Sequence, residues 1–475
     1  MSRGSSEAPL HRGKHRAARP DQVRTALRRA LVVTFLPGVV LALVAGAIAL
    51  LAGHWARNLV LDTRSLLWIV VVLAIIWALW VSLIVRVYSF NRSVTASGPM
   101  RFAGAVGVLV MVGAVTAPMA VGAQYALVQR DLIKSVFDNE YGATTPHVSA
   151  DNPFPRKRVN VLLLGGDGSV HRPGVRTDSV ILASIDTTNG RTVLFSLPRN
   201  LQRVPFAPGS KLAEIYPNGF TDGSSDNNAE FFLNAVYRNV PALHPGVLGK
   251  TRNEGADAVK LAVSGALGIP VDYYVLVNLA GFRRLVDAIG GITVNINEPV
   301  PIGGNTDAHI LPDSYLQPGP HQRLDGYKAL WFTRGRYGST DYKRMERQRC
   351  AIDAIAKEAS PGNLLKRYVK LARASKDIVR TDIPQKLLPA FVDLSEKVKS
   401  KPLKSVGFEH TATFDPNDPD FDYVRAAVQA ALKPPKRTHK PTGGTTTGTT
   451  GGSTSKNDDT TKLSDTAEDC AYHPG

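Results

Sequence analysis

Cysteine is almost missing from this chain: its 475 residues include two, Cys350 and Cys470. Neither stands in a Cys/His cluster large enough to fill a structural zinc's four positions, which argues against a zinc module. There is no nucleophile elbow, no P-loop and no dinucleotide glycine fingerprint, so the common serine- and nucleotide-based chemistries have no motif to rest on. No internal repeat is present, which excludes a solenoid or propeller. Acidic residues are the scarcer charge, 40 against 57 Lys and Arg, and the net charge of +17 favours an anionic partner. The length is too great for one ordinary domain.

Long apolar runs, by contrast, are plentiful. Residues 31–55, 66–85 and 102–127 are each long enough to cross a bilayer. The third is rich in Gly and Ala, which suit close helix packing in lipid, and its Pro118 sits where a kink is tolerated. Trp68 stands near one end of the second, at an interfacial position. The first is too long for a cleaved signal peptide and shows no small-residue cleavage site. The basic stretch 1–30 abuts it, so that charge is expected to face membrane lipid and not nucleic acid. Arg86, Arg92 and Arg101 lie in the second loop; Arg57 and Arg64 in the first are partly offset by Asp62. The positive-inside rule then places the N-terminus in the cytoplasm and everything after about residue 128 outside. The expected plan is a basic cytoplasmic segment (1–30), three transmembrane helices (31–127), a stalk and linker (128–157), an extracytoplasmic globular domain (158–432) and a disordered Gly/Thr-rich tail (433–475).

Within the globular domain, residues 159–166, 179–186 and 191–198 read as buried strands, the last two joined by an Asn-Gly hairpin turn. Residues 273–278 and 292–296 read as further strands, and 257–268, 279–291 and 341–359 as helices. The order predicts an α/β sandwich around a central mixed sheet. Charges fence the first three strands. Asp167 follows the first, Asp178 opens the second and Arg199 closes the third. If the first two strands are antiparallel neighbours and the hairpin returns the third, these residues share one rim of the sheet, with Arg176 beside them. Gly165, Gly166 and Gly168 leave room for backbone N–H groups to approach an anion. A second basic cluster follows. If "WFTRGR" is extended, Arg334 and Arg336 share a face; helical spacing puts Arg344, Arg347 and Gln348 on one side. Two carboxylates among many guanidiniums describe a site for Mg²⁺ and a pyrophosphate, because Mg²⁺ takes oxygen ligands and arginine forks match phosphate oxygens.

The segments "VNVLLLGGDG", "RTDSVILASID", "SLPRN", "VNLAGFRRLVDAIGGITVNI", "LDGYKALWFTRGR" and "DYKRMERQR" occur in this order over residues 158–360. Together they resemble the LytR-CpsA-Psr family of cell-wall ligases. The resemblance implies an α/β/α sandwich with an apolar cavity for a prenyl chain. It implies a phosphotransferase that moves an anionic glycopolymer from a polyprenyl-pyrophosphate carrier to peptidoglycan through a phosphodiester. On the same resemblance, Asp167 and Asp178 match Mg²⁺-associated carboxylates, and Arg176, Arg199, Arg334 and Arg336 match pyrophosphate-binding arginines. Arg344 and Gln348 match helix residues facing the head group. Lys211 matches a family lysine, although Ala213 and Glu214 replace the residues that usually follow it. Asn200 stands where the family often has an aspartate, so an acid–base role there lacks its carboxylate. Which aspartate binds metal and which takes a proton stays open. Val161, Leu163, Val180 and Leu182 line either the prenyl cavity or an ordinary core. The other class in play is a non-catalytic lipid-binding or regulatory membrane protein. Cys350 and Cys470, both on the outer side, are expected to form a bridge that pins the tail.

Overall fold

The computed structural model describes residue 59 and residues 61–91, 98–137, 142–167, 176–223, 228–306, 309–358, 379–411, 413–433 and 463–473. The chain divides into two compact units, Met1–Arg130 and Asp131–Gly475.

The first unit is built on helices α1 (Thr63–Asn91) and α2 (Gly98–Val136), the latter running on past its end. Trp80 and Ile84 of α1 pack on Val115 of α2, and Trp77 Nε1 donates to Thr116 Oγ1 at 2.9 Å. Both helices are long and apolar enough to cross a membrane. The second and third expected spans lie within them. The first expected span, 31–55, and the basic segment 1–30 lie outside the described residues, so two such helices stand among the described residues where three were expected.

The second unit runs β1 (Arg158–Asp167), β2 (Arg176–Asp186), β3 (Thr192–Leu197), α3 (Lys211–Ile215), α4 (Leu233–Leu243), α5 (Glu254–Leu267), β4 (Tyr273–Asn278), α6 (Leu279–Ile289), β5 (Ile292–Ile296), β6 (Val300–Asn305), β7 (Ile310–Leu316), β8 (Gly319–Leu324), α7 (Gly326–Arg334), α8 (Asp341–Glu358), β9 (Val379–Thr381), α9 (Leu388–Lys399), β10 (Lys404–Gly407), α10 (Phe421–Leu432), β11 (Ser464–Asp465) and α11 (Thr466–Asp469). Seven strands form one mixed sheet in the order β11-β10-β3-β2-β1-β4-β9. β1, β2 and β3 are antiparallel neighbours, while β4 runs parallel to β1 and β10 parallel to β3.

Continuous apolar runs suit strands covered on both faces. Val180, Leu182 and Phe195 pack into a large core with α4, α5 and α10, while Ile181, Ala183 and Leu194 turn to the opposite side and meet Ile352 of α8. The β2–β3 turn needs its glycine: Gly190 has φ +77°, and a Cβ there would stand 2.4 Å from the Lys397 carbonyl carbon.

Three sequence expectations change. "WFTRGR" is not extended: Asp325 caps α7 by accepting from Lys328 N, and Ala329 and Phe332, three apart, bury on one side. The linker is not detached, since Phe154 stacks edge-on against Phe391 at 5.2 Å and Arg156 pairs with Asp272. The tail is not disordered throughout. Residues 463–473 are structured, with β11 extending the sheet beside β10 and a disulfide joining Cys470 to Cys350 on α8. Asn295 and Asn297 hold the carbonyls of Cys470 and Ala471. Residues 434–462 lie outside the described residues.

Candidate active site

The charges that fence β2 and β3 meet at one rim. β2 pairs Val180 with Leu197, and continuing that register sets position 178 opposite 199. Arg199 Nη1 donates to Asp178 Oδ1 at 3.1 Å, and its Nε lies 3.4 Å from Asp341 Oδ1. Asp341 opens α8, so its carboxylate meets Arg344 one turn on: Nη2 donates to Oδ2 at 2.9 Å. The same Nη2 reaches the Asp178 carbonyl at 3.3 Å, fixing α8 to the strand. Arg336, just beyond α7, places Nη1 4.0 Å from Asp341 Oδ1. From the other face of the sheet, Asn234 Nδ2 donates to Asp178 Oδ1 at 3.4 Å. Asp178, Arg199, Asn234, Arg336, Asp341 and Arg344 are therefore one cluster.

Its electrostatics follow from partial burial beside several guanidiniums. Burial alone would push the Asp178 carboxyl up, but the charge and hydrogen bond of Arg199, with Arg344 and Asn234, outweigh it and hold the group below the usual carboxylate value. Burial pulls Arg344 down to about 10, against the pull of Asp341 and Asp178. Arg344 Nε and Asn234 Oδ1 are buried with no hydrogen-bond partner among the described residues. Buried polar atoms are rarely left so: the Arg344 Nε donor marks where a ligand oxygen or water belongs, and the Asn234 Oδ1 acceptor where a donating water does.

Of the remaining sequence candidates, Arg176, Arg334, Arg347, Gln348 and Lys211 make their contacts outside this cluster. Arg176 pairs with Glu230 and with the Ala229 carbonyl; Glu230 also holds Arg238 and Asn239, so Arg176 is braced away from Asp178. Arg334 ends α7 with its guanidinium 5.7 Å over the Trp331 ring. Gln348 and Arg347 turn to α7, donating to the carbonyls of Thr333 and of Phe332 and Gly335. Lys211 opens the short α3 with an exposed side chain, and no contact ties it to the cluster among the described residues. Asp167 ends β1 beside Arg176, past a bulge between Gly165 and Gly166; its side chain lies outside the described residues. Val180 and Leu182 belong to the core under α4 and α5, whereas Val161 and Leu163 face the other way.

Two members of the cluster escaped the sequence reading. Asp341 had a signal, because it precedes Arg344 by three positions in a helical stretch. Asn234 had none: a polar residue in "FFLNAVY" reads as an ordinary helix position.

For a divalent cation the donors fit. Asp178 Oδ2 and Asp341 Oδ1 accept no hydrogen bond among the described residues, and both are hard carboxylate oxygens beside phosphate-matching arginines. Mg²⁺ commonly uses one or two protein carboxylates and completes its shell with phosphate and water. Among the described residues no group of three or more His, Cys, Asp and Glu could form an all-protein cage.

A family model described as the LytR_cpsA_psr family matches residues 131–430. The chain is 29% identical over 271 residues to the polyisoprenyl-teichoic acid–peptidoglycan teichoic acid transferase TagU of Enterococcus faecalis, covering 55% of this chain and 74% of that protein. It is 28% identical over 275 residues to biofilm regulatory protein A of Streptococcus mutans, covering 56% of this chain and 59% of that protein. The crystal structure of B. subtilis TagV covers 58% of this chain and 96% of that chain at 24% identity, with a TM-score of 0.41.

Proposed function

From the premise that this chain belongs to the LytR_cpsA_psr family, we propose that it is a membrane-anchored phosphotransferase. It moves an anionic glycopolymer from a polyprenyl-pyrophosphate carrier onto a peptidoglycan hydroxyl and forms a phosphodiester. The observation that carries this reading is the rim itself: two carboxylates and three arginines, Asp178, Asp341, Arg199, Arg336 and Arg344, within one network of ion pairs. The names of relatives such as TagU support the substrate class.

Arg199, Arg336 and Arg344 bind and orient the diphosphate and spread the charge that builds on its oxygens as the phosphoryl group passes. The hydroxyl oxygen bonds to the sugar-side phosphorus, the bridging P–O bond breaks, and lipid monophosphate leaves. Asp178 would hold Mg²⁺ through Oδ2, with Asp167 as a second ligand. Bound there, the metal supplies further neutralisation of the phosphate oxygens. Because Asp178 is held strongly ionised, it is a poor proton acceptor. Asp341, whose Oδ1 accepts no hydrogen bond among the described residues and is held only by the longer ion pairs to Arg199 and Arg336, takes the proton of the attacking hydroxyl. Asn234 keeps Asp178 in place from the far side of the strand.

The test is reconstitution. Full-length protein in lipid nanodiscs is given a polyprenyl-pyrophosphate glycan, Mg²⁺ and peptidoglycan. Phosphodiester-linked polymer and stoichiometric polyprenyl phosphate are the expected products. Tight lipid binding without either product assigns the chain to the non-catalytic, lipid-binding class.

A further inference from the structure

Helix α7 sets rings and a guanidinium on its outer face. Tyr327, Trp331 and Arg334 follow one another at i, i+4 and i+7, the stripe opposite the buried Ala329 and Phe332. Packing of the helix does not call for large rings there: Tyr327 is 42% exposed and Trp331 is only partly buried. Their centroids stand 6.4 Å apart with the planes at 72°, so the rings form a corner and not one flat plate. Arg283 of α6 lies over the Tyr327 ring at 5.3 Å, and Arg334 lies over Trp331 at 5.7 Å. Gly326 makes the first of these pairs possible. A Cβ there would collide with the Arg283 carbonyl oxygen, so glycine lets α6 come close to the first turn of α7.

The stripe leads to the reaction rim. Two residues beyond Arg334 stands Arg336, whose Nη1 lies 4.0 Å from Asp341 Oδ1. From the rim outward the order is Arg336, then Arg334 over Trp331, then Tyr327 under Arg283. Two carboxylates near the start of α7 are turned to backbone N–H groups: Asp325 accepts from Lys328 N and Asp287 from Gly326 N. A guanidinium over a ring keeps its N–H donors in its own plane, where they still fork a phosphate. A ring face carries the negative pole of the aromatic quadrupole, and the C–H bonds on one side of a sugar meet it with positive charge. Rings therefore read sugars and arginines read phosphates, and their alternation matches a chain in which the two alternate.

We propose that Arg283, Tyr327, Trp331 and Arg334 form an outer glycan subsite that holds the sugar–phosphate chain of the donor beyond its first repeat. The proposal rests on the function stated above. Charge favours the donor over the acceptor glycan, because three arginines that continue into Arg336 suit a polyanion. Continuity with the rim gives the direction: the phosphate under transfer sits at Arg336, and the polymer it carries runs outward along α7.

Full-length protein in lipid nanodiscs tests this with three probes: short and long oligomers of glycosylated poly(ribitol phosphate), un-cross-linked peptidoglycan strands, and oligothymidylate. Trp331→Ala and Tyr327→Ala should each weaken the long oligomer by about 3- to 10-fold, the scale of one stacked ring. Arg283→Ala should weaken it about as much and flatten its dependence on salt. The short oligomer should lose less in every variant, because it ends before the stripe. Tyr327→Phe keeps the ring and should keep the affinity; a loss as large as that of Tyr327→Ala overturns stacking. Equal losses for short and long oligomers overturn the subsite, and so does no loss for either. Peptidoglycan strands or oligothymidylate held through Trp331 as tightly as the long oligomer overturn the assignment to the donor chain. Should Trp331→Ala fail to fold, Tyr327→Ala at the exposed ring carries the same comparison. Wild-type protein that binds the long oligomer through the stripe but transfers no polymer leaves the subsite standing and removes the function. Wild-type protein that transfers polymer while Tyr327→Ala and Arg283→Ala keep its KM for long donors removes the subsite alone.

Discussion

Two places in the second unit gather charge, and they are completed differently. Where β4 meets β9, Lys260 donates to Asp382 Oδ2 at 2.6 Å and to the Asp272 carbonyl at 2.9 Å. Asp382 also accepts from Tyr274 N and Thr145 Oγ1, and Asp257 from Ala143 N, Thr144 and Thr251. Lys260 and Asp257 are each 1% exposed. Here every buried charge has close hydrogen-bonding partners, and the network ties residues 143–145 and Arg156 to the core. At the reaction rim, carboxylate oxygens and arginine nitrogens are left over, and ion pairs stretch from 2.9 to 4.0 Å. A completed set of charges is a staple; an incomplete one is a site that a ligand completes. Charge density alone does not separate them, because both read as scattered Asp, Lys and Arg.

The largest expected effect breaks the staple. Lys260→Met leaves Asp382 buried without its cation, which costs about 3–5 kcal/mol. Chemical denaturation of the purified protein should show that loss, and the Lys260→Met/Asp382→Asn double variant should recover part of it. A loss under about 1 kcal/mol would mean that the network is not structural and would erase the contrast. The converse experiment acts on the rim. Arg199→Ala removes contacts to both Asp178 and Asp341, so turnover should fall by about 10²–10³-fold, the scale of a lost electrostatic donor in a polar site. Its denaturation midpoint should move little, since Arg199 is partly exposed and its pairs are long. A variant that loses stability and keeps turnover would exchange the two roles.

How much of this was legible depended on whether a residue's partner lay nearby in sequence. β1, β2 and β3 could be read because apolar runs and an Asn-Gly turn are local signals, and the strand order then brought Asp178 to Arg199. Arg176 could not be placed the same way: its partner Glu230 comes from a 3-10 turn more than fifty residues on, and no pattern announces it. The extended reading of "WFTRGR" (331–336) fails because the Asp325 cap and the apolar spacing behind it carry the helix through Arg334. Residues 463–473 have a polar composition that builds no core; they are ordered by pairing with β10 and by a covalent bond, neither of which composition registers.

The smallest effect is the sharpest test of the contrast, because it turns on sign. Asp178 has a folded pKa below the ordinary 3.8, although burial opposes it, because Arg199 and Arg344 favour the carboxylate. Its contribution to stability is full above the unfolded value and is lost as the pH falls through the lower folded value. Asp272 goes the other way. Burial dominates and raises its pKa despite Asn160 N, Arg156 and Lys260, so its titration favours the fold below the unfolded value, and that contribution is lost as the pH rises through the folded one. Asparagine imitates the protonated acid at either position. Relative to wild type, Asp178→Asn should therefore lose least at the acid end, and Asp272→Asn should lose most there. Denaturation measured between about pH 3 and 6 would show two differences that slope in opposite directions. Parallel slopes would mean that arginines at the rim do not outweigh desolvation at Asp178. That carboxylate would then no longer be the ionised oxygen that the proposed phosphate transfer requires.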